Sequence, residues 1–233
     1  MNLTTFSIVA RCARTGELGV TVSTKVPAVG SLCTFVRSGV GAVATQAWVN
    51  PYLGPRVLNA LASGLSAELA IQQALGSDVE YAIRQLGAIG ANGPGAAFTG
   101  LKTDPWKGHR TGADYAVQGN MLVGEETIAA MADAFVASSA ESLAERLLRA
   151  LEAGQAAGGD RRGRQSAAMQ VFGAEDYPLV DLRVDEHRDP VAELRRIFEV
   201  AKVELFPLVA ALPTKRNPRG NFDSIHAAVA PKK

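Results

Sequence analysis

The order of hydrophobic periods along the chain predicts an α+β protein in which two packed sheets are covered by helices on both outer faces. Three observations carry that prediction. Strands open the chain as two hairpins, helical segments arrive in pairs, and further strands follow each pair. Alternating βαβ units would have a different rhythm.

Each element has its own signal. Thr5 to Ala10 places Phe6, Ile8 and Ala10 on one face and Ser7 and Val9 on the other. A turn at Thr15-Gly16 returns the chain through Leu18, Val20 and Val22 to Thr24. Ser31 to Val36 and Gly39 to Gln46 form a second hairpin about Arg37-Ser38-Gly39. Asn50-Pro51 supplies an N-cap and a first-turn proline for a helix that buries Val57, Leu58 and Leu61 and stops at Gly64. Ser66 caps the next helix, whose apolar face is Ile71, Ala74 and Leu75. Gln85 to Ala91 and Gly95 to Thr99 read as strands around Asn92-Gly93-Pro94, and Tyr115 to Val123 as another that ends at Gly124.

Ile128, Met131 and Phe135 mark a helix, and Leu143, Leu147 and Leu151 a second one with Ser138 and Glu141 as its capping box. Ser166 to Phe172 and Leu179 to Val184 read as closing strands. Asp189-Pro190 then opens a long helix carrying Leu194, Ile197, Phe198, Ala201 and Leu205 on one face. From Pro213 the chain is rich in Pro, Asn, Lys and Arg without periodicity. Residues 1–212 therefore read as one domain and 213–233 as a mobile tail.

Composition narrows the function classes. With 233 residues, 47% hydrophobic and 20% charged, the chain has enough apolar surface for one well-buried domain. Its net charge of +1 gives no general attraction to nucleic acid or to an acidic membrane. Cys12 and Cys33 are too few for a disulfide framework and lack metal-type spacing. No charged-then-apolar leader and no apolar run of about 18 residues is present. The expectation is a cytoplasmic protein, possible as a homodimer, acting on a small molecule without metal, cofactor, nucleic acid or membrane.

Four stretches carry candidate chemistry. The first is the opening hairpin, where Thr4 and Thr5 precede the strand and Lys25 ends its partner. A threonine at a chain's own N-terminus is a competent nucleophile, because its α-amine, with a pKa of about 7.7–8.0, accepts the hydroxyl proton. A nearby lysine favours the neutral amine and stabilises developing negative charge. The plainer reading is a β-favouring threonine pair and a solvated lysine at a strand end. The second stretch is the loop Gly158 to Ala167. There Arg161, Arg162 and Arg164 offer forked donors for a carboxylate or phosphate, Asp160 is placed to orient one of them, and a solvated charged turn is the alternative.

The third stretch runs from Ala44 to Arg56, where Gln46 and Asn50 flank a strand-to-helix junction that can serve as an oxyanion hole or ligand anchor. Helix capping accounts for Asn50 but not for Gln46. In the fourth, Gln118 and Asn120 flank Gly119, either approaching a ligand or stabilising a bulge. His109, beside Arg110, reads as a surface histidine, as do His187 and His226. Cys33, in an apolar strand, reads as a buried small hydrophobe.

The blocks TFSIVARCARTGELGVTVSTKVPAVG, GAVATQAWVNPYLGPR, YAVQGNMLVG and LEAGQAAGGDRRGRQSAAMQV resemble a bacterial and archaeal domain-of-unknown-function family, number one-zero-two-eight. The likeness runs from about Thr5 into the helix after Asp189. It implies an N-terminal-nucleophile (Ntn) hydrolase-like fold with four layers, αββα, and metal-free amide cleavage by an N-terminal Thr, Ser or Cys. It also implies Thr5 as the nucleophile position, which carries a free amine only once residues 1–4 are removed. Three functions follow as expectations. One is an amidohydrolase cleaving an amide or cyclic amide of a small anionic metabolite. Another is a non-catalytic binder of such a metabolite on the same scaffold. The third is an enzyme using Ser23 or Thr24 with Lys25, of which only Ser23 shares a strand face with the lysine.

Overall fold

The computed structural model of the chain describes residues 2–3, 5–221 and 223; Thr4 and most of the expected tail, with His226, lie outside the described residues. Two antiparallel sheets form the frame. In the first, β1 (Asn2–Leu3) and β4 (Thr34–Arg37) both pair with β5 (Gly41–Trp48), followed by β6 (Arg84–Gly90) and β7 (Ala96–Thr99). The second runs in the order β11 (Pro178–Val184), β10 (Ser166–Phe172), β3 (Leu18–Thr24), β2 (Thr5–Arg11), β9 (Tyr115–Asn120) and β8 (Gly108–Thr111).

Alternation in the sequence decides which side chains each layer receives. Phe6, Ile8 and Ala10 of β2 turn outward into a core with Met131 and Phe135 of α3 (Glu126–Ala137), Leu147 and Leu151 of α4 (Leu143–Ala156), and Leu194 and Phe198 of α5 (Pro190–Glu204). On the other side, Val43, Leu86 and Ala88 pack against Leu53 and Val57 of α1 (Leu53–Ala62) and Ile71 of α2 (Ala67–Leu75). Between the sheets the apolar layer is small: Val9, Leu18, Val20, Ala42, Ala44, Ile89 and Ala116. Helices thus cover both outer faces of two stacked sheets.

That inter-sheet layer changes character along β2. Val9 is apolar, but Ser7 and Thr5, on the same face and nearer the strand's start, are polar and fully buried. The chain also changes sheets here, because Asn2–Leu3 pairs with Trp48 and Ala47 of β5 whereas Thr5 pairs with Thr24 of β3 and Asn120 of β9.

Several boundaries differ from the sequence expectation. Helix α1 starts at Leu53, with Asn50 Oδ1 accepting the Tyr52 N–H ahead of it. The cap of α4 is Ser142, which accepts from Glu145 N at 3.3 Å. Ser138 instead closes α3 by donating to Ala134 O. Strand β9 ends at Asn120 because Met121 takes φ +50°. A short helix, α6 (Phe206–Ala211), follows α5. The start of the expected tail is tied down: Lys215 N donates to Glu175, Lys215 Nζ bonds Asp176, and Asn221 N donates to Ala211 O.

Candidate functional site

The polar end of the inter-sheet layer is a seam of amides and hydroxyls. Gln46 of β5 and Gln85 of β6 project from the first sheet; Thr5, Ser7, Gln118 and Asn120 project from the second, and all six have no exposed surface. Buried polar groups persist only when hydrogen-bonded, and these largely are. Ser7 Oγ donates to Gln46 Oε1 at 2.6 Å and accepts from Gln118 Nε2 at 2.5 Å. Gln46 Nε2 donates to Gln85 Oε1 at 2.8 Å and to the Thr5 carbonyl at 3.2 Å. Asn120 Nδ2 donates to the same Gln85 oxygen at 3.0 Å. Two acceptors, Gln118 Oε1 and Asn120 Oδ1, lack a donor among the described residues. Thr5 and Thr24 meet through their hydroxyls, 3.3 Å apart.

Gln118 reaches across so closely because Gly87 faces it: a Cβ there would lie 1.9 Å from Gln118 Oε1. Gln85 is the hub. Its Nε2 donates to Gly119 O at 2.8 Å and to Thr99 Oγ1 at 2.9 Å, and Thr99 in turn meets His109 Nδ1 at 2.9 Å. Burial pushes the His109 pKa below its ordinary 6.5.

The remaining sequence candidates form two separate groups. Asp160 is buried beside the end of β3, where its carboxylate accepts from Lys25 N, Arg162 N and the Arg162 guanidinium. Burial pushes its pKa up, and the bonds from Arg162 and Lys25 only partly oppose that. Lys25 is exposed, and its Nζ reaches Arg164 O at 3.5 Å. The residue opposite Thr5 in the ladder is Thr24. Arg164 is paired with Asp189 at 3.2 Å, and Arg161 is exposed, its N–H donating to Met121 O.

Asn50 belongs to a third group, donating to Asp78, which also receives Arg84 at 2.9 Å. Burial would raise the Asp78 pKa, but bonds from Arg84, Asn50 and Glu80 N outweigh it and hold the carboxyl below its ordinary range.

So the fold brings Thr5, Gln46, Gln118 and Asn120 together. It gathers Lys25, Asp160 and the arginines at the end of β3, and it leaves Asn50 with Asp78. Sequence reasoning did not find Ser7, Gln85 or Thr99; its reading of His109 as a surface histidine agrees with the exposed position in β8, but it gave the ring no partner. Gln85 beginning a strand two residues before Gly87 was the one local signal. Cys33 is fully buried, which pushes its thiol up to about 12 and keeps it protonated. Among the described residues no three His, Cys, Asp or Glu side chains are grouped to hold a metal ion, and no helix is long and apolar enough to cross a membrane.

Residues 5–194 match the model of the family of unknown function DUF1028. The chain belongs to this family. Every site residue named above falls inside the DUF1028 span. Protein SPO2555 from Silicibacter pomeroyi, a crystal structure described with the same family, is 33% identical, with a TM-score of 0.85 over 93% of this chain and 98% of that one. A more remote likeness is to Anbu (ancestral beta-subunit) from Yersinia bercovieri. It has 10% identity and a TM-score of 0.42, covering 86% of this chain and 96% of that one. No curated protein matches the chain at a significant level.

Proposed function

We propose that this DUF1028 protein is an amidohydrolase of the Ntn-hydrolase type, cleaving a C–N bond in a small anionic amide or cyclic amide. The observation that supports the reading is the change of sheet between Leu3 and Thr5. A cut before Thr5 leaves it at the head of an inner strand of its sheet, with the Thr24 hydroxyl at 3.3 Å, Asn120 opposite and Gln46 on its carbonyl.

The chemistry then balances. The freed α-amine takes the hydroxyl proton as Oγ1 adds to the substrate carbonyl carbon. The second N–H of the Asn120 amide, with that of Gln118 as a further candidate, stabilises the oxyanion, since Gln46 is committed to Gln85 and the Thr5 carbonyl and Asn50 to Asp78. Collapse breaks the C–N bond, the leaving nitrogen collects the proton, and water hydrolyses the ester on Thr5. Lys25, one residue beyond Thr24, supplies positive charge that favours the neutral amine. Arg161, with Arg162 and Arg164 if they leave Asp160 and Asp189, holds a substrate carboxylate.

One observation favours a second reading. Thr5 is fully buried and residues 2–3 are paired with β5 in the uncut chain, which suits a binder of anionic metabolites that does no covalent chemistry. Intact-mass measurement of the purified protein, followed by a screen of small amides and cyclic amides, separates the two. A form beginning at Thr5 that loses hydrolysis on Thr5→Ala fits the enzyme. Hydrolysis by a form that retains residues 1–4 eliminates the Thr5 mechanism.

A further inference from the structure

A hydrogen-bond chain runs from Thr5 to the protein surface, and backbone carbonyls reveal its direction. Gln46 Nε2 lies 3.2 Å from Thr5 O and 3.4 Å from Gln118 O. Gln85 Nε2 lies 2.8 Å from Gly119 O and 3.2 Å from Gly108 O. Carbonyls only accept, so both ends must be NH2 groups and neither amide can be turned over. Gln46 therefore donates to Gln85 Oε1 at 2.8 Å, and the two Gln85 hydrogens go to the nearer acceptors, Gly119 O at 2.8 Å and Thr99 Oγ1 at 2.9 Å, with Gly108 O at 3.2 Å only sharing one of them. Thr99 accepts in that bond, which leaves its hydroxyl hydrogen for His109 Nδ1 at 2.9 Å. The direction is complete only with a bare Nδ1, which makes His109 neutral with its proton on Nε2.

The geometry points to His109 as a positioning residue for the seam, acting on Gln46 and Asn120 through Thr99 and Gln85. A proton on Nδ1 converts Thr99 from donor to double acceptor and strands its hydroxyl hydrogen. It also sets a positive charge at the end of the Gln85 N–H group. Gln46 and Asn120 both donate to the other end of that one amide, so they feel any shift in it. The inference concerns the hydrogen-bond chain alone and stands whether or not Thr5 is a nucleophile.

The charges around the ring are few. Lys107 and Arg110 flank it in sequence, and Lys107 Nζ is held by Leu101 O and Thr103 O while Arg110 pairs with Asp133 of α3 at 2.9 Å. Glu125 and Glu126, at the start of α3, line the same surface cavity as His109. Strands β7 and β9, which also pack on β8, contribute no charged residue. Burial holds the ring's pKa below its ordinary 6.5.

The test follows the side-chain amide resonances of Gln85, Gln46 and Asn120 in the full chain, by nitrogen–proton NMR between about pH 5 and pH 8. The His109 ring protons are recorded in the same samples. The expected result is that the Gln85 amide shifts with the ring's own midpoint, with smaller shifts at Gln46 and Asn120. Thr99→Val should abolish those amide shifts while the ring still titrates, and Thr99→Ser, which keeps the hydroxyl, should retain them. Amides that stay flat while the wild-type ring titrates overturn the inference, as do amides that keep the ring's midpoint in Thr99→Val. Should Thr99→Val fail to fold, Thr99→Ala gives the same decision: the amide shifts vanish while the ring still titrates, or their persistence at the ring's midpoint refutes the relay.

Discussion

Gly87→Ala is the substitution whose effect the geometry most tightly constrains. The backbone at Gly87 is one an L residue adopts, so no conformational strain enters. The new methyl would sit 1.9 Å from Gln118 Oε1, 2.4 Å from Cδ and 2.7 Å from Nε2, whereas ordinary contact begins at 3.4 Å. Gln118 must therefore retreat by about 1.5 Å, and its 2.5 Å bond to Ser7 Oγ does not survive that movement. Forced overpacking costs about 1–3 kcal/mol, and a buried polar group left unpaired about 1–3 kcal/mol more. The sum is on the order of 2–6 kcal/mol, or a fall in Tm of roughly 4–24 °C for a chain of this size.

Urea denaturation followed by circular dichroism measures the loss, and a double-mutant cycle with Gln118→Ala assigns it. With the opposing side chain gone, Gly87→Ala should cost less than about 1 kcal/mol. A cost in that background within about 0.5 kcal/mol of the wild-type cost would refute the reasoning, because the methyl would then be clashing with something other than Gln118.

Three further outcomes follow from the same structure. Gln85→Leu removes the common partner of Gln46, Asn120 and Thr99, and should destabilise the fold by about 2–5 kcal/mol, read by thermal unfolding. Glu145 is held by Arg195, Arg149 and Lys202 and falls from 4.5 to about 2, so its stabilisation is complete above pH 4.5 and lost as pH drops toward 2. That difference is on the order of 3 kcal/mol, and Glu145→Gln should flatten the stability-against-pH curve in that window. Asp160→Asn leaves one acceptor oxygen where two backbone N–H groups and a guanidinium now bond, and should lower stability by about 1–3 kcal/mol at neutral pH.

The parts that were legible in sequence are those whose signal is local. The hairpin of β2 and β3 follows from alternation in Thr5–Arg11 and Leu18–Thr24 about Gly16, which takes φ +74°. The cap of α4 was misplaced by four residues because Ser138-x-x-Glu141 and Ser142-x-x-Glu145 carry the same pattern, and only the path of the backbone chooses between them. Strand β8 was not foreseen: three of its four residues are exposed, so it has no alternation to read. Nor was β1, two residues whose strand character comes from pairing with β5 across the sheet boundary.

Sequence alone determined the layered α+β architecture, the family and the presence of Thr5, Gln46, Gln118 and Asn120 as polar interruptions in apolar strands. Their meeting was decided by tertiary structure. Ser7 bonds Gln46, 39 residues away, and Gln118, 111 residues away, and these contacts exist only after two sheets have stacked. Periodicity tells which face of a strand a side chain occupies, but not which strand of the other sheet will lie over it. The same limit hid Gln85 and His109. Each looks unremarkable within its own segment, and each has a defined place only where β6, β7, β8 and β9 converge.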